Sequence, residues 1–321
     1  MKILRLAIAG VLTAVASLGY FYVTDPGRLR QIYLCVTQAK SISACYRGGN
    51  IDFVANIDGI LYEGNLGNSI DHDIFYHGAY EKHILYFLRD VMRMAYANQG
   101  TFLDVGANTG LYSLFVSRYV SAVHAFEPWQ PVLARFRRMV DLNYIKNIVI
   151  HPVGLGDENA RKSFYQPPPE NLGTGSFVKE FTDKNSYAGE YEIRIGDDVL
   201  EKEGVKSAVV IKMDIEGYEK LALKGLRRTL WRDRPVVHVE LTIDPRSPLS
   251  IKSLNELRAL FPENYAFLFF TGETDDKAGR YSLAPFEAFE GTVRFDHQSQ
   301  VDIVAYPIER RDQIPLRGPK S

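Results

Sequence analysis

The chain has 321 residues, with 38 Lys+Arg against 39 Asp+Glu, a formal charge of -1, 46% hydrophobic and 24% charged residues. That balance excludes disorder as the main state, and without excess positive charge no nucleic-acid partner is expected. Two cysteines, Cys35 and Cys45, are too few for a disulfide scaffold or an all-cysteine zinc site.

Lys2 and Arg5 precede an apolar run over residues 6–23 that no charge interrupts. The run is just long enough to span a bilayer, and Asp25-Pro26-Gly27 stops it. Residues 1–24 are therefore expected to be a single-pass N-terminal membrane anchor. Ala14-Val15-Ala16 before Ser17 leaves a cleaved signal peptide as the alternative. The basic residues downstream, Arg28, Arg30, Lys40 and Arg47, slightly outnumber those upstream, which favours a cytoplasmic C-terminal domain.

Residues 51–78 are polar and rich in Gly and Asp, with short alternating stretches that predict a hairpin or small sheet. Ile84, Leu85, Leu88, Val91, Met92 and Ala95 recur at helical spacing and predict an amphipathic helix over 80–98. Beyond Gly100, apolar strands are predicted at 101–105, 122–126, 148–151, 208–213, 235–239, 265–270 and 301–305. Helices are predicted between them at 111–120, 131–142, 217–231 and 250–261. This alternation indicates an α/β fold with a parallel sheet. The rhythm breaks at 157–196, where Pro167-Pro168-Pro169 and Gly173-Thr174-Gly175-Ser176 mark a long excursion. Residues 309–321 are polar and read as a loose tail.

Four motifs carry chemistry. Asp104-Val105-Gly106-Ala107-Asn108-Thr109-Gly110 follows a predicted strand and opens a helix, so its glycines let the backbone approach a ligand. Its G-x-x-x-G spacing differs from the G-x-G-x-x-G of dinucleotide binders. Glu127 ends the second strand, where an acid accepts hydrogen bonds from ribose hydroxyls in nucleoside-binding α/β folds. Gly154-Leu155-Gly156-Asp157 is a turn able to face an adenine, or a plain turn. Ile211-Lys212-Met213-Asp214-Ile215-Glu216-Gly217 puts Asp214 at the carboxyl end of a buried strand, where open α/β sheets bind ligands. Glu216 and Glu219 would also suit a first helical turn.

Taken in order with Phe126-Glu127-Pro128, His151-Pro152-Val153 and Val237-His238-Val239-Glu240-Leu241, these motifs resemble the FkbM family of S-adenosylmethionine (SAM)-dependent methyltransferases over about residues 100–245. The resemblance implies a Rossmann-like class I methyltransferase fold: a seven-stranded, mostly parallel sheet with helices on both faces and an antiparallel last strand. It implies methyl transfer from SAM to a hydroxyl of a glycan, glycolipid or other small molecule, here at a membrane. It places Asp104, Gly106, Asn108 and Gly110 at the methionine end of the cofactor and Glu127 at the ribose. Gly156 and Asp157 fall near the adenine, and Asp214, Glu216 and Gly217 at the transfer site. Trp129 departs from the family pattern and could stack on adenine or simply pack. Gly196, in Gly196-Asp197-Asp198-Val199-Leu200, stands where the family has an apolar residue, which loosens that segment.

On this reading residues 25–98 are an extension or substrate cap and 99–308 the methyltransferase domain. A general base is sought among Asp214, Glu216 and Glu240. His238, on the same strand face as Glu240, is expected to be structural. Asp214 with Glu216 or Glu240 could instead hold a divalent ion. Tyr165, Tyr187 and Tyr191 could stack on a sugar or simply pack. Two rival functions are an NAD(P)-binding oxidoreductase, which the glycine spacing opposes, and a non-catalytic membrane-tethered SAM-binding module.

Overall fold

The computed structural model describes residues 51–181, 184–286 and 295–318. The expected anchor over 1–24 lies outside the described residues. Among the described residues no helix is long and apolar enough to cross a membrane.

The chain opens with a hairpin, β1 (Asp52–Ile57) and β2 (Ile60–Asn65), as the alternating stretches predict. Its turn, Asp58-Gly59, holds both residues at positive φ, the geometry that matches the twist of the two strands. Helices α1 (Ser69–His77) and α2 (Lys82–Tyr96) follow. The main sheet is formed by β3 (Thr101–Val105), β4 (Ala122–Phe126), β5 (Ile148–His151), β9 (Ala208–Met213), β10 (Val236–Ile243), β11 (Tyr265–Phe270), β12 (Leu283–Pro285) and β13 (Ser299–Pro307). The strand order is β12-β11-β13-β10-β9-β3-β4-β5. The five strands from β10 to β5 run parallel, and β13 lies antiparallel to β10 and β11. Among the described residues the sheet thus has eight strands, where seven are expected. The extra one is the short edge strand β12, in a stretch whose few apolar residues give no strand signal.

Nearly every residue of β9 and β10 is buried, the mark of strands covered on both faces. Alternate side chains feed two cores. Phe102, Val123, Val210, Val236 and Val304 face one, with α2, α3 (Leu111–Val116) and α4 (Gln130–Leu142). Leu103, Val105, Ile211, Met213, Val237 and Ile303 face the other, with α6 (Glu219–Gly225) and α7 (Arg227–Asp233). The helix expected over 217–231 is therefore two short ones. That expected over 250–261 is only α8 (Leu254–Arg258), capped by the Ser253 hydroxyl at Glu256 N.

Three differences concern the expected boundaries. Residues 51–98 do not form a separate cap, because Phe53, Tyr62, Leu85, Leu88 and Val91 belong to the first core itself. Residues 157–196 are not irregular throughout: β6 (Gly154–Gly156), β7 (Ala160–Gln166) and β8 (Ser186–Ile195) make a three-stranded sheet, followed by α5 (Gly196–Lys202). The expected loose tail packs as far as it is described, with a 3-10 helix at Ile308–Gln313 and Ile314 buried in the first core.

The topology sets the site. From β3 the chain moves outward to β4 and β5 on one side, while β9 and β10 lie on the other. A crevice opens at such a switch point, beyond the carboxyl ends of the strands.

Candidate active site

The turn after β3 lies over that crevice. Gly106 and Gly110 both have positive φ. A Cβ on Gly106 would come within 1.8 Å of the Asp214 carbonyl oxygen, and one on Gly110 within 2.2 Å of the Phe136 ring. The glycines thus let the β3 turn abut the β9 end on one side and α4 on the other.

A cavity at this point is lined by Gly106, Asn108, Glu127, Asp214, Glu216 and Glu240. The structure therefore brings together every expected transfer-site acid and three of the expected cofactor residues. Four others do not line it. Asp104 is fully buried beneath the turn, where its Oδ2 accepts from Ser113 N (3.0 Å) and Ser113 Oγ (2.6 Å). It therefore fastens β3 to α3. Gly110 is packed on Phe136, and Gly156 on Ile193 and Tyr218. Asp157 is exposed outside the cavity.

At one end, Glu127 Oε2 accepts from Asn108 N (3.0 Å) and Oε1 from Trp129 N (2.8 Å). Burial pushes its carboxyl up to about 7, although the two backbone N–H groups pull the other way. Each oxygen keeps a lone pair for a ligand hydroxyl. Trp129, buried against Val132 and Phe164, also lines the cavity, so it packs and meets the cavity at once.

The other end is acidic. Asp214, Glu216 and Glu240 each bring one carboxylate oxygen within 4.8 Å of the others. Lys212 Nζ donates to Asp214 Oδ2 at 3.1 Å and sits 4.8 Å from the centre of the Tyr112 ring. Burial would raise the Asp214 carboxyl, but the Lys212 ammonium and hydrogen bonds from Glu240 and Lys212 hold it below the usual range. Glu240 moves the opposite way, pushed up by burial and then by the Asp214 charge. The pair thus holds one proton, on Glu240. Glu216 is also pushed well up, by burial first and Asp214 second, and its Oε2 accepts from Gln300 Nε2 at 2.8 Å. The three acids have the spacing of a ligand set for a divalent ion, which would require Glu216 and Glu240 to shed their protons.

Sequence reasoning missed three contributors, Tyr80, Glu81 and Gln300, none of which lies in a motif. Tyr80 and Glu81, from the extension, line the cavity beside Tyr112 and Lys212. Glu81 has positive φ and accepts from Tyr112 Oη at 2.6 Å. Burial, then Asp214 and Asp302, push its carboxyl up to about 8. Gln300 comes from β13. His238, expected to be structural, is 1% exposed with Nε2 3.0 Å from Asp302 Oδ1, while its buried Nδ1 has no hydrogen-bond partner. Tyr191 packs on Phe164, while Tyr165 and Tyr187 meet edge to face. The loop after β7 covers the cavity. It is tied down by Asn108 Nδ2 donating to Leu172 O (3.1 Å), Ser69 N to Glu170 O (2.9 Å) and Ser176 Oγ to Glu216 O (2.7 Å).

The switch-point crevice, with a glycine turn, a strand-end glutamate and acids at the opposite end, is the layout of a nucleoside-cofactor site. Residues 104–269, more than half of the chain, match the family model described as the methyltransferase FkbM domain, and the chain belongs to that family. Methyltransferase 1 of Beauveria bassiana (strain ARSEF 2860) is 29% identical over 157 residues, covering 43% of this chain and 63% of that relative. The chain thus spans less than two thirds of the relative's length. A crystal structure of an FkbM methyltransferase from Methylobacillus flagellatus KT is similar with a TM-score of 0.39 and 18% identity, over 67% of this chain and 48% of that one. An O-methyltransferase from Bacillus cereus in complex with SAH gives a TM-score of 0.37 and 10% identity, over 70% of this chain and 80% of that one.

Proposed function

We propose that the protein is a SAM-dependent O-methyltransferase acting on a hydroxyl of a glycan, glycolipid or other small molecule. The observation that carries this reading is the cavity's polarity. A carboxylate with free lone pairs stands at one end and a single ionised acid, Asp214, among protonated neighbours at the other. Glu127 suits the two ribose hydroxyls of SAM, and the turn over Gly106 and Asn108 suits its close approach.

Bound SAM would supply a methyl group on a cationic sulfonium. The chain's own residues then have two tasks. The first is to hold the acceptor oxygen in line with that methyl carbon, which accounts for much of the rate in such displacements. The second is to take the hydroxyl proton. Asp214 is the group fit for this, because Lys212 keeps it ionised while Glu240 and Glu216 are already protonated. The oxygen–methyl bond forms, the sulfur–methyl bond breaks with its electron pair left on sulfur, and the hydroxyl proton passes to Asp214. The G-x-x-x-G spacing of the turn opposes the oxidoreductase, and turnover on an acceptor separates methyl transfer from a non-catalytic module.

In this reading the apolar run over 6–23 holds the catalytic domain on the cytoplasmic side of a membrane, where SAM is made and lipid-linked acceptors lie. Calorimetric titration of SAM and of NAD into the protein, with Glu127→Ala alongside, tests the cofactor. Micromolar SAM binding that the variant loses is expected. Tight NAD binding without SAM binding would overturn the reading.

A further inference from the structure

A second cavity, of about 430 Å3, opens beside the first, within the ~300–1,000 Å3 usual for ligand pockets. Its floor is one face of the β10–β13 ladder. Glu240 pairs with Asp302, and Thr242 with Gln300, so period-two geometry puts all four on that face. The acids stand at the inner end, and Thr242, Gln300, Ser299 and Gln298 lead outward from them. Asn171 and Thr174, from the loop after β7, form the facing wall.

Two observations mark this as a built site joined to the first. Gln300 lines both cavities and hydrogen-bonds Glu216 in the transfer site. Thr242, only 8% exposed, has a buried hydroxyl without a hydrogen-bond partner at the cavity wall. A buried polar group without a partner is rare unless a ligand or water supplies one.

The lining also names the ligand chemistry. Amides and hydroxyls predominate, and they both donate and accept. Lys184 and Glu170 carry opposite charges, so no excess positive charge awaits phosphates. Among the described lining residues only Phe181 and Pro168 are apolar, too little for a lipid tail or an extended aromatic acceptor.

We propose that this cavity binds further units of the acceptor, so that the substrate is a neutral, hydroxyl-rich chain of two or more sugar units and not a single ring. The proposal rests on the O-methyltransferase reading above. The units beyond the methylated one lie along Thr242, Ser299 and Gln298, and Gln300 joins the two sites.

The test offers the full chain labelled SAM with gluco-, galacto- and manno-configured sugars of one to five units, alongside total RNA and phospholipid vesicles. A Gln298→Ala, Ser299→Ala double variant is assayed in parallel. Both positions are solvent-accessible, and circular dichroism checks that the variant is folded. The expected result is a kcat/KM at least about tenfold higher for a trisaccharide than for its monosaccharide. The double variant should lose that advantage through KM while keeping its SAM affinity by calorimetry. Equal labelling of monosaccharide and trisaccharide, or an unchanged KM in the variant, would overturn the second site and leave O-methyl transfer standing. Label on RNA or lipid but on no sugar would overturn the proposed acceptor class. No label on anything, with SAM still bound, would overturn the O-methyltransferase reading itself.

Discussion

Lys212 is 3% exposed, and it stays charged because Asp214, Asp104 and Glu81 surround it closely enough to outweigh the cost of burial. That one ammonium decides which acid of the transfer site is ionised. Asp214→Asn keeps an oxygen for Lys212 to bond but removes the proposed proton acceptor. It is expected to lower kcat by about 10²–10⁴, the usual contribution of a general base, with SAM affinity little changed. A matching loss of SAM binding in calorimetry would show instead that Asp214 serves the cofactor. At the opposite end, Glu127 has its carboxyl pushed up to about 7. It must shed its proton before both oxygens can accept from ribose hydroxyls. SAM affinity should therefore rise about tenfold from pH 6 to pH 8 through this one group, and Glu127→Gln should flatten that part of the profile. Titrations at the two pH values check both. The sequence shows Glu127 and Asp214 clearly, because each ends an apolar strand. It does not show Glu81 or Gln300, which reach the cavity from segments far along the chain and have no motif around them. Asp104 misleads for the converse reason: its motif marks the right turn, but its side chain points into the protein.

The hairpin and α1 are bound to the cofactor turn by one buried polar network. Tyr62 Oη donates to Asp71 Oδ1 (3.0 Å) and lies 2.8 Å from Thr109 Oγ1. Arg135 on α4 reaches the same carboxylate through Nη1 (2.8 Å) and Nη2 (2.7 Å). Asp71 is 1% exposed, so its removal strands a guanidinium in a dry site. Asp71→Ala is expected to cost about 3–5 kcal/mol, read as a lower midpoint in urea unfolding. A loss below about 1 kcal/mol, the size of one ordinary hydrogen bond, would mean that water reaches Arg135. The same network joins the described part of the expected extension over 25–98 to the rest of the fold. The extension's periodic apolar residues announce a buried face, yet nothing local says that its partner is a sheet formed later in the chain. The central strands were legible because burial on both faces leaves continuous apolar runs. Strands β7 and β8 were not, because both faces are partly wet and the alternation is weak.

For the whole molecule, the acid-lined switch point has a consequence for stability. Glu81, Glu127, Glu216, Glu219 and Glu240 all have carboxyls raised in the folded state, chiefly by burial. Above the unfolded carboxylate range, the folded chain holds protons there that the unfolded chain has released. Stability is then greatest below that range and is lost as pH rises toward the folded values, about 7 for Glu127 and Glu219 and about 8 for Glu81. The buried His124–His151 pair acts in the opposite sense. Burial lowers both, His151 to about 4, so they withdraw stability as pH falls below the usual histidine range. With Asp104, also raised by burial, six carboxyls outnumber two imidazoles, so between pH 5.5 and pH 8 the carboxyls set the sign. The thermal midpoint without ligand should be lower at pH 8 than at pH 5.5. A second arm ties the effect to the site. Glu127 accepts from the ribose hydroxyls of the proposed cofactor best in its ionised form, so the midpoint gained on adding SAM should be larger at pH 8 than at pH 5.5. Melting curves at the two pH values, with and without SAM, read both effects. A midpoint that rises with pH in the free protein would mean that the acids ionise freely, and that water fills the crevice more fully than their burial implies.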